Sequence, residues 1–325
     1  MTARERSELA RGLTFVSPWL FGFLALTLVP IFLSLYYSFC DYSLLERKPD
    51  GTLWPVWIGL ENYRNLLGDA EFYRTLRNTA HYAAISLPAG LLVSLGLALM
   101  LNAPIRGQAI YRTIIFLPSL VPVVASAMVW MWLFEADLGL INAILSRLGI
   151  SGTVSMEWFN QWRGLQGEAR VRDFALPPQW LVDDRLALTS LALMSIWGIG
   201  HTVVIYLAGL QDIPVELYEA AEIDGAGTWR RLLSVTIPML SPVIFFNLVM
   251  AIIGTFQVFA VPFIMTSGGP ARATYLYTHY LYDNAFTYLK MGYASAMAWI
   301  QLLIILALTG IAFWTSKRWV HYQGR

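Results

Sequence analysis

Charge is scarce in this chain of 325 residues. Asp, Glu, Lys and Arg make up 13% of the sequence, whereas soluble domains usually contain about 25%. Hydrophobic residues make up 57%. This composition argues against a soluble globular enzyme. The 22 basic and 21 acidic residues nearly cancel, so no excess of positive charge draws the chain to nucleic acid.

Cysteine and lysine are almost missing. The single cysteine, Cys40, cannot form an internal disulfide and cannot by itself build a cysteine-based metal site. The lysines are Lys48, Lys290 and Lys317, and none of them follows a glycine as the lysine of a Walker A loop must. Any ATP hydrolysis would therefore need another polypeptide. We expect no catalytic site and no metal site in this chain.

Long apolar runs are present instead. Six runs lack Asp, Glu, Lys and Arg entirely, and each is long enough to cross a hydrocarbon core of about 30 Å, which takes about 20 helical residues. A charge at the centre of such a helix costs about 2.5–3.5 kcal/mol. The pattern predicts an all-α, polytopic membrane protein with six transmembrane helices. The predicted spans are residues 13–39, 79–101, 113–134, 186–208, 238–265 and 293–315.

Basic residues near the span ends predict the orientation. If residues 1–12 and 316–325 both lie in the cytoplasm, Lys and Arg are denser in the inside segments than in the longer outside ones. The difference is modest, because the outside segments hold more basic residues in total. The apolar run after Arg11 is much longer than the core of a signal peptide, which is about 7–15 residues. We therefore predict an uncleaved first span.

The connection at residues 209–237 has the most distinctive local pattern. Pro214 suits the first turn of a helix, and Gly225 suits the end of one, so the connection is predicted to form two short helices. In the first of these helices, between the proline and the glycine, a glutamate recurs at every third residue, and two alanines lie beside them. A helix with such a small-residue face can dock in the groove of a partner, and a helix lying on lipid headgroups would have the same spacing. The residues concerned are Glu216, Glu219, Glu222, Ala220 and Ala221.

The string at 219–226, followed by Pro238, resembles the EAA loop of ABC importer permeases. It is most similar to the sugar branch of that family, the permeases like MalF, LacF and UgpA. The family pattern ends Ile-x-Leu-Pro, where this chain has Val235 and Ile237 before the proline. The string at 59–63 resembles the same branch. The resemblance implies a type I ABC importer permease bundle whose ATPase-coupling residues are Glu219, Ala220, Ala221, Asp224, Gly225 and Pro238.

The same resemblance implies partners and a location. A permease of this family works with a second homologous permease, two cytoplasmic ATPase subunits and an extracytoplasmic binding protein, in the lipid of a bacterial or archaeal cytoplasmic membrane. ATP and Mg are bound by the ATPase, so no cofactor is expected here. ATP binding would move the coupling loop and turn the bundle from inward-facing to outward-facing. An apparent insertion at 151–175 departs from the family pattern.

The spans contain neutral polar residues, and His81 and His201 are their only ionisable side chains apart from tyrosine. A path for a charged solute usually contains an intramembrane ionisable partner, so its absence favours a neutral cargo rich in hydroxyl groups. Amides can bond sugar hydroxyls, and aromatic rings can stack on a sugar, although both also serve helix packing. The substrate-path candidates are Asn247, Thr255, Gln257, Trp197, Phe256 and Gln301.

The sequence therefore predicts a non-enzymatic permease subunit for a sugar or oligosaccharide. One alternative is a permease for glycerol 3-phosphate or a related polyol phosphate, with a partner chain supplying positive charge. A second is a stand-alone ion-coupled carrier, which would usually have charged groups at the bilayer midplane and repeated halves. Neither feature is evident in the sequence.

Overall fold

The computed structural model describes residues 3–43, 54–103, 106–163 and 173–321. Most of these residues are helical, as the apolar runs predict. Two short antiparallel ribbons accompany the helices. The second ribbon joins the two ends of the predicted insertion at 151–175, of which residues 164–172 lie outside the described part. The ribbons pair β1 (Cys40–Asp41) with β2 (Val56–Trp57), and β3 (Gly152–Val154) with β4 (Phe174–Leu176).

The candidate spans differ in continuity. Four helical stretches are long and apolar enough to cross a membrane uninterrupted, and the total is six if each of two bent helix pairs forms one span. The bent pairs correspond to the predicted third and fourth spans. The four continuous stretches are Arg11–Ser38, Ala70–Asn102, Thr228–Phe256 and Met291–Ser316.

Two of the continuous helices contain a wider π turn that ends two positions before a proline. In the first, α1 (Ala3–Phe23) passes through Leu24–Leu28 into α2 (Val29–Ser38). In the other, α12 (Thr228–Arg231) passes through Leu232–Thr236 into α13 (Ile237–Phe256). Pro30 and Pro238 are the second residues of α2 and α13. Because proline lacks an N–H and crowds the preceding turn, a local widening accommodates its ring.

The predicted third span is not a single helix. α5 (Gln108–Phe116) continues as a 3₁₀ turn at Leu117–Leu120, and α6 (Val123–Leu133) then leaves at 100° to it. Val121 and Pro122 between them have extended backbone. A residue before proline is disfavoured in the helical region, which explains why the run at 113–134 breaks here although it is apolar throughout.

The predicted fourth and fifth spans are also interrupted. α9 (Ala187–Trp197) and α10 (Gly200–Gln211) meet at a bend of 49°. At this bend a Cβ on Gly200 would lie 2.9 Å from the Ile115 carbonyl oxygen, so the glycine permits close approach of α5. The run at 238–265 is divided between α13 and α14 (Ala260–Thr266).

Shorter helices connect these elements. They are α3 (Glu61–Leu67), α7 (Leu140–Arg147), α8 (Glu157–Trp162), α11 (Val215–Ile223) and α15 (Tyr277–Tyr282), and the long helices that flank them include α4 (Ala70–Asn102) and α16 (Met291–Ser316). The chain divides into two compact units. The first comprises Met1–Phe72 and Tyr280–Ile304, and the second comprises Tyr73–His279 and Ile305–Arg325.

In the first unit, side-chain hydrogen bonds hold the connections. The Asn62 amide donates to the carbonyl oxygens of Ser38 (3.0 Å) and Cys40 (2.9 Å), which attaches α3 to the end of α2. The Asp69 carboxylate accepts bonds from the hydroxyls of Tyr280 and, at 2.7 Å, Tyr293. The bonds from Asn62 satisfy a buried amide that would otherwise be costly.

The second unit has two apolar clusters along its helices. One cluster includes Leu101 of α4 and Leu210 of α10, close to the 209–237 connection, and we call this side the loop end. The other includes Tyr82 of α4 and Leu188 of α9, and we call that side the far end. Both α4 and the α9–α10 pair therefore run from the far end to the loop end, and polar residues along them lie at ordered depths.

Candidate functional site

The 209–237 connection, which we call the coupling loop, is formed by two helices with a sharp turn between them. α11 begins after Pro214, which has extended backbone, and ends at Asp224. Gly225 has φ +73°; its N–H bonds Glu222 O at 3.0 Å, and the N–H of Ala226 bonds Ala221 O at 2.8 Å. This is a Schellman termination, which favours glycine at the left-handed position. No atom lies within 4 Å of a Cβ built on Gly225, so backbone conformation rather than space requires the glycine.

Side chains fasten α11 to the base of the following span. Arg231 Nη1 lies 2.7 Å from Glu222 Oε1, in a pair of which the glutamate is largely exposed. Such an exposed pair contributes at most about 1 kcal/mol. The Tyr218 hydroxyl lies 3.1 Å from the buried Thr236 hydroxyl. Together these contacts link the first helix of the loop to the helix that continues into the bundle.

The outer surface of the coupling loop is apolar at its tip. Ile223 is 87% exposed and Trp229 is 77% exposed, so the loop presents two large apolar side chains to its surroundings. Of the predicted coupling residues, Glu219, Ala220, Asp224 and Gly225 are exposed, and Ala221 and Pro238 are half-buried.

Pro238 belongs to the helix that leaves the coupling loop. Its carbonyl oxygen has no helical donor four residues on, because Pro242 has no N–H. The Ser241 hydroxyl donates to this oxygen at 2.6 Å instead. The helix therefore remains continuous from Thr228 to Phe256, which gives a direct connection between the loop and the interior of the second unit.

A cavity of about 220 Å³ lies between α4, the α9–α10 pair and α13. Ser86 in its wall is 8% exposed, and its hydroxyl has no hydrogen-bond partner among the described residues. A buried hydroxyl without a partner costs free energy, and it can bond a hydroxyl group that enters the cavity. The polar lining residues are Tyr82, Ser86, Ser195, Thr202 and Thr255.

The predicted substrate-path residues are dispersed. Thr255 lines the cavity. Asn247 is buried, and its Nδ2 has no partner of normal geometry in the described part of the chain. The Tyr206 hydroxyl lies beside the Asn247 amide, and it also has no partner of normal geometry among the described residues. These two residues form a second polar point, away from the lining of the cavity.

The remaining candidates have other surroundings. Gln257 is exposed at the end of α13, and Phe256 is buried, with its carbonyl oxygen bonded by the Thr278 hydroxyl at 3.1 Å. Trp197 packs edge-on against Trp130, with ring centroids 6.2 Å apart. Gln301 is buried in the first unit. Their assignment to the path stays a prediction.

Sequence reasoning missed most of the cavity wall. Tyr82 and Ser86 are four residues apart on α4, and Ser195 and Thr202 are seven apart on the α9–α10 pair. The four-residue spacing keeps Tyr82 and Ser86 on one face of α4, so hydroxyl residues at this interval were the available signal there, whereas Ser195 and Thr202 lie on either side of the bend between α9 and α10. They were missed because serine and threonine are common in apolar helices, where they often bond their own backbone.

The sequence of this chain is similar to those of known transport proteins. A family model described as "Binding-protein-dependent transport system inner membrane component" matches residues 86–321. The chain is 38% identical over 324 residues to the probable ABC transporter permease protein YesP of Bacillus subtilis, covering 98% of this chain and 94% of the relative. It is 33% identical to the sulfoquinovosyl glycerol transport system permease protein SmoG of Agrobacterium fabrum, covering 87% and 82%.

One further relative and one solved structure also belong to transport systems. The sn-glycerol-3-phosphate transport system permease protein UgpA of Yersinia pestis is 34% identical, covering 87% of each chain. A crystal structure of a bacterial ABC transporter involved in the import of the acidic polysaccharide alginate matches the fold with a TM-score of 0.73, at 22% identity, covering 97% of this chain and 99% of that one. The expected permease fold is confirmed, and the chain belongs to the family of inner membrane components of binding-protein-dependent transport systems.

Proposed function

We propose that this chain is the permease subunit of an ATP-driven importer of a sugar or oligosaccharide, coupled by residues 209–237 to a separate ATPase. The observation that carries the proposal is the coupling loop, with its Schellman turn at Gly225 and its exposed apolar tip at Ile223 and Trp229. The cargo class is supported by SmoG, whose name specifies a sulfoquinovosyl glycerol transport system.

The helix Thr228–Phe256 is the proposed transmission element. It has 29 residues, which corresponds to about 44 Å at 1.5 Å per residue. Its first turns are fastened to α11 by the Glu222–Arg231 and Tyr218–Thr236 contacts. Near its other end, Thr255 lines the cavity. A displacement of α11 by an ATPase would therefore move one wall of the cavity, as alternating access requires.

The partners follow from this role. A second homologous permease completes the path, two ATPase subunits receive the coupling loops, and an extracytoplasmic binding protein delivers the cargo. ATP and Mg belong to the ATPase, and this chain performs no catalysis. Both termini and the coupling loop lie in the cytoplasm, so the far end of the second unit lies on the extracytoplasmic side.

A second candidate cargo is glycerol 3-phosphate or a related polyol phosphate. It is favoured by the likeness to UgpA, which is named for the transport of sn-glycerol 3-phosphate. Both candidates use the same coupling mechanism, so they differ in the cargo and not in the machinery. The stand-alone ion-coupled carrier has no support from the family assignment.

Uptake by the complete transporter tests the proposal. This chain is reconstituted with its partner permease, ATPase and binding protein, and uptake of sulfoquinovosyl glycerol, an alginate trisaccharide, glycerol 3-phosphate and lactose is measured. We expect uptake of at least one of these compounds that requires both ATP and the binding protein. Uptake that follows an ion gradient without ATP would contradict the proposal, as would uptake that persists when the ATPase or the binding protein is left out.

A further inference from the structure

A separate pocket of about 220 Å³ lies at the loop end of the second unit, between α5 and α10, and we call it the interface pocket. Most of its lining is apolar, and the described lining residues include no carboxylate. Its polar lining residues are Arg112 on α5 and Gln211 on α10. The pocket therefore has an apolar interior and one positive charge.

The two helices that bound the interface pocket run in opposite directions. α5 begins at the loop end, where the side-chain amide of Gln108 donates to the carbonyl oxygen of Leu101, near the end of α4. The other end of α5 contacts the start of α10, because a Cβ on Gly200 would lie 2.9 Å from the Ile115 carbonyl oxygen. From this contact α10 leads back to Gln211, directly before the coupling loop.

The guanidinium group of Arg112 is incompletely satisfied. Its Nε is buried and has no hydrogen-bond partner within the described part of the chain. A buried donor without an acceptor costs free energy, and the cost is larger when the group is charged. Such a group in a folded protein calls for an acceptor from outside the described structure. Because this donor carries a positive charge, an anionic acceptor suits it best.

Three of the charge-free runs begin or end at the interface pocket. Leu101 is the last residue of the second run, Arg112 comes immediately before the third, and Ala208 is the last residue of the fourth. Tyr111, next to Arg112, is exposed, and tyrosine is enriched where a membrane meets water. Arg112 therefore lies at the level of the lipid headgroups. Val204, about one turn before Ala208 on α10, lies at the level of the acyl chains.

We propose that the interface pocket binds an anionic phospholipid, with the phosphate on Arg112 and the beginning of an acyl chain against the apolar lining. A guanidinium group matches the oxygens of a phosphate with paired hydrogen bonds. Basic pockets between transmembrane helices at the cytoplasmic side are known to hold such headgroups, and the loop end is the side proposed to face the cytoplasm. The inference concerns lipid and does not depend on the cargo.

The order of the polar and apolar residues favours a lipid over a protein partner. A carboxylate from another subunit would satisfy the charge of Arg112, but it would leave the apolar interior beside Val204 and Phe116 unfilled. A phospholipid has its charge at the headgroup and its apolar chain deeper in the bilayer, in the same order as this lining. One molecule therefore satisfies both parts of the pocket.

The test measures lipid binding to the complete transporter in two matched pairs of variants. In the first pair, Arg112→Gln removes the charge inside the pocket, and Arg106→Gln removes an exposed charge just before α5 that does not line it. In the second pair, Val204→Phe fills the apolar lining, and Ile205→Phe adds the same bulk to the neighbouring exposed residue, which is outside the lining. Each purified, delipidated complex is titrated with phosphatidylglycerol or phosphatidylcholine, and bound lipid is counted by native mass spectrometry.

We expect the wild type to bind phosphatidylglycerol at this site in preference to phosphatidylcholine. In Arg112→Gln the half-saturating concentration of phosphatidylglycerol should rise about tenfold or more, as expected when a charge-assisted bond is lost. Val204→Phe should also weaken binding several-fold, although it changes no charge, because the acyl chain loses its apolar contacts. Arg106→Gln and Ile205→Phe should bind phosphatidylglycerol as the wild type does.

Several results would overturn the inference. Equal binding of phosphatidylglycerol by the wild type and Arg112→Gln would mean that the guanidinium holds no lipid. Equal binding of the two lipids by the wild type would exclude recognition of the anion. If Arg112→Gln loses a partner subunit during purification while the bound lipid is unchanged, the guanidinium binds a carboxylate of that subunit. Unchanged binding in Val204→Phe would place the acyl chain elsewhere, and this variant decides the question even if Arg112→Gln fails to assemble. Because neither cargo nor ATP is present, the result is independent of the proposed importer function.

Discussion

In the coupling loop, the important residues come from one short stretch of chain, whereas the polar residues that line the cavity come from several separate helices. The turn of the loop depends on local bonds, such as that from Ala226 to Ala221. The wall of the cavity combines Ser86, Thr202 and Thr255, which are far apart in sequence. One backbone change can therefore destroy the geometry of the loop, but the loss of one cavity residue leaves the other lining residues in place. We expect abrupt losses of function in the loop and graded losses in the cavity.

The largest effect is expected for Gly225→Asp. The left-handed backbone of Gly225 (φ +73°) costs about 1–2 kcal/mol for a residue with a Cβ, and the new carboxylate lies beside the exposed tip. The variant should insert in the membrane but lose uptake and ATPase stimulation by loaded binding protein. Gly227→Ala is the control, since Gly227 has φ −67° and open space around it. Equal losses in both variants would show that the left-handed turn is not the cause.

Ala221→Trp should also abolish coupling, with a smaller effect on the loop itself. Ala221 is half-buried on α11, and an indole there would hold the helix away from a partner's groove. Co-purification with the ATPase should fall together with stimulated hydrolysis, while Ala221→Ser should retain both. If the tryptophan variant keeps full stimulation and uptake, this face of α11 does not contact the ATPase.

A graded loss is expected in the cavity for Ser86→Ala. Loss of one hydroxyl bond to the cargo is worth about 1 kcal/mol, so uptake at saturating loaded binding protein should slow about fivefold. Thermal stability should not fall, because the Ser86 hydroxyl has no partner within the described structure. Ser94→Ala is the control on the same helix. Ser94 does not line the cavity, and its hydroxyl bonds the Gly90 carbonyl oxygen at 2.6 Å. A fall in stability with unchanged uptake would give Ser86 a structural role.

The smallest effect concerns a polar cluster outside both regions. Partial burial alone would raise the pKa of Asp69, but bonds from the Tyr280 and Tyr293 hydroxyls and from the N–H groups of Glu71 and Phe72 lower it overall. Asp69→Ala should cost on the order of 1 kcal/mol at neutral pH, after allowance for solvent screening.

The pH dependence of that loss has a definite sign. A carboxylate whose folded pKa is lowered stabilises the fold above its unfolded pKa, and this contribution disappears as the pH falls through the folded value. The difference in unfolding temperature between wild type and Asp69→Ala should therefore be full at pH 7 and shrink below about pH 4. A difference that is constant with pH would mean that charge is not involved.

The sequence predicted the features that depend on local chemistry. Charge-free runs identified membrane helices because the cost of burying a charge in lipid acts on each residue separately. The two helices of the coupling loop were predicted because proline fixes its own φ at Pro214 and glycine can adopt the left-handed conformation that ends a helix at Gly225. The assignment of a family followed from the string at 219–226, and the family comparison confirms it.

The sequence did not determine how the helices meet. The 100° turn at Val121 and Pro122 lies in an apolar run that is indistinguishable by hydropathy from a straight span. The cavity depends on which faces of α4, α9–α10 and α13 come together. The side chains of residues 74, 185 and 272 come from three separate parts of the chain and line one pocket. The sequence shows that such residues are basic or polar. Their convergence depends on long-range packing, which only the tertiary structure decides.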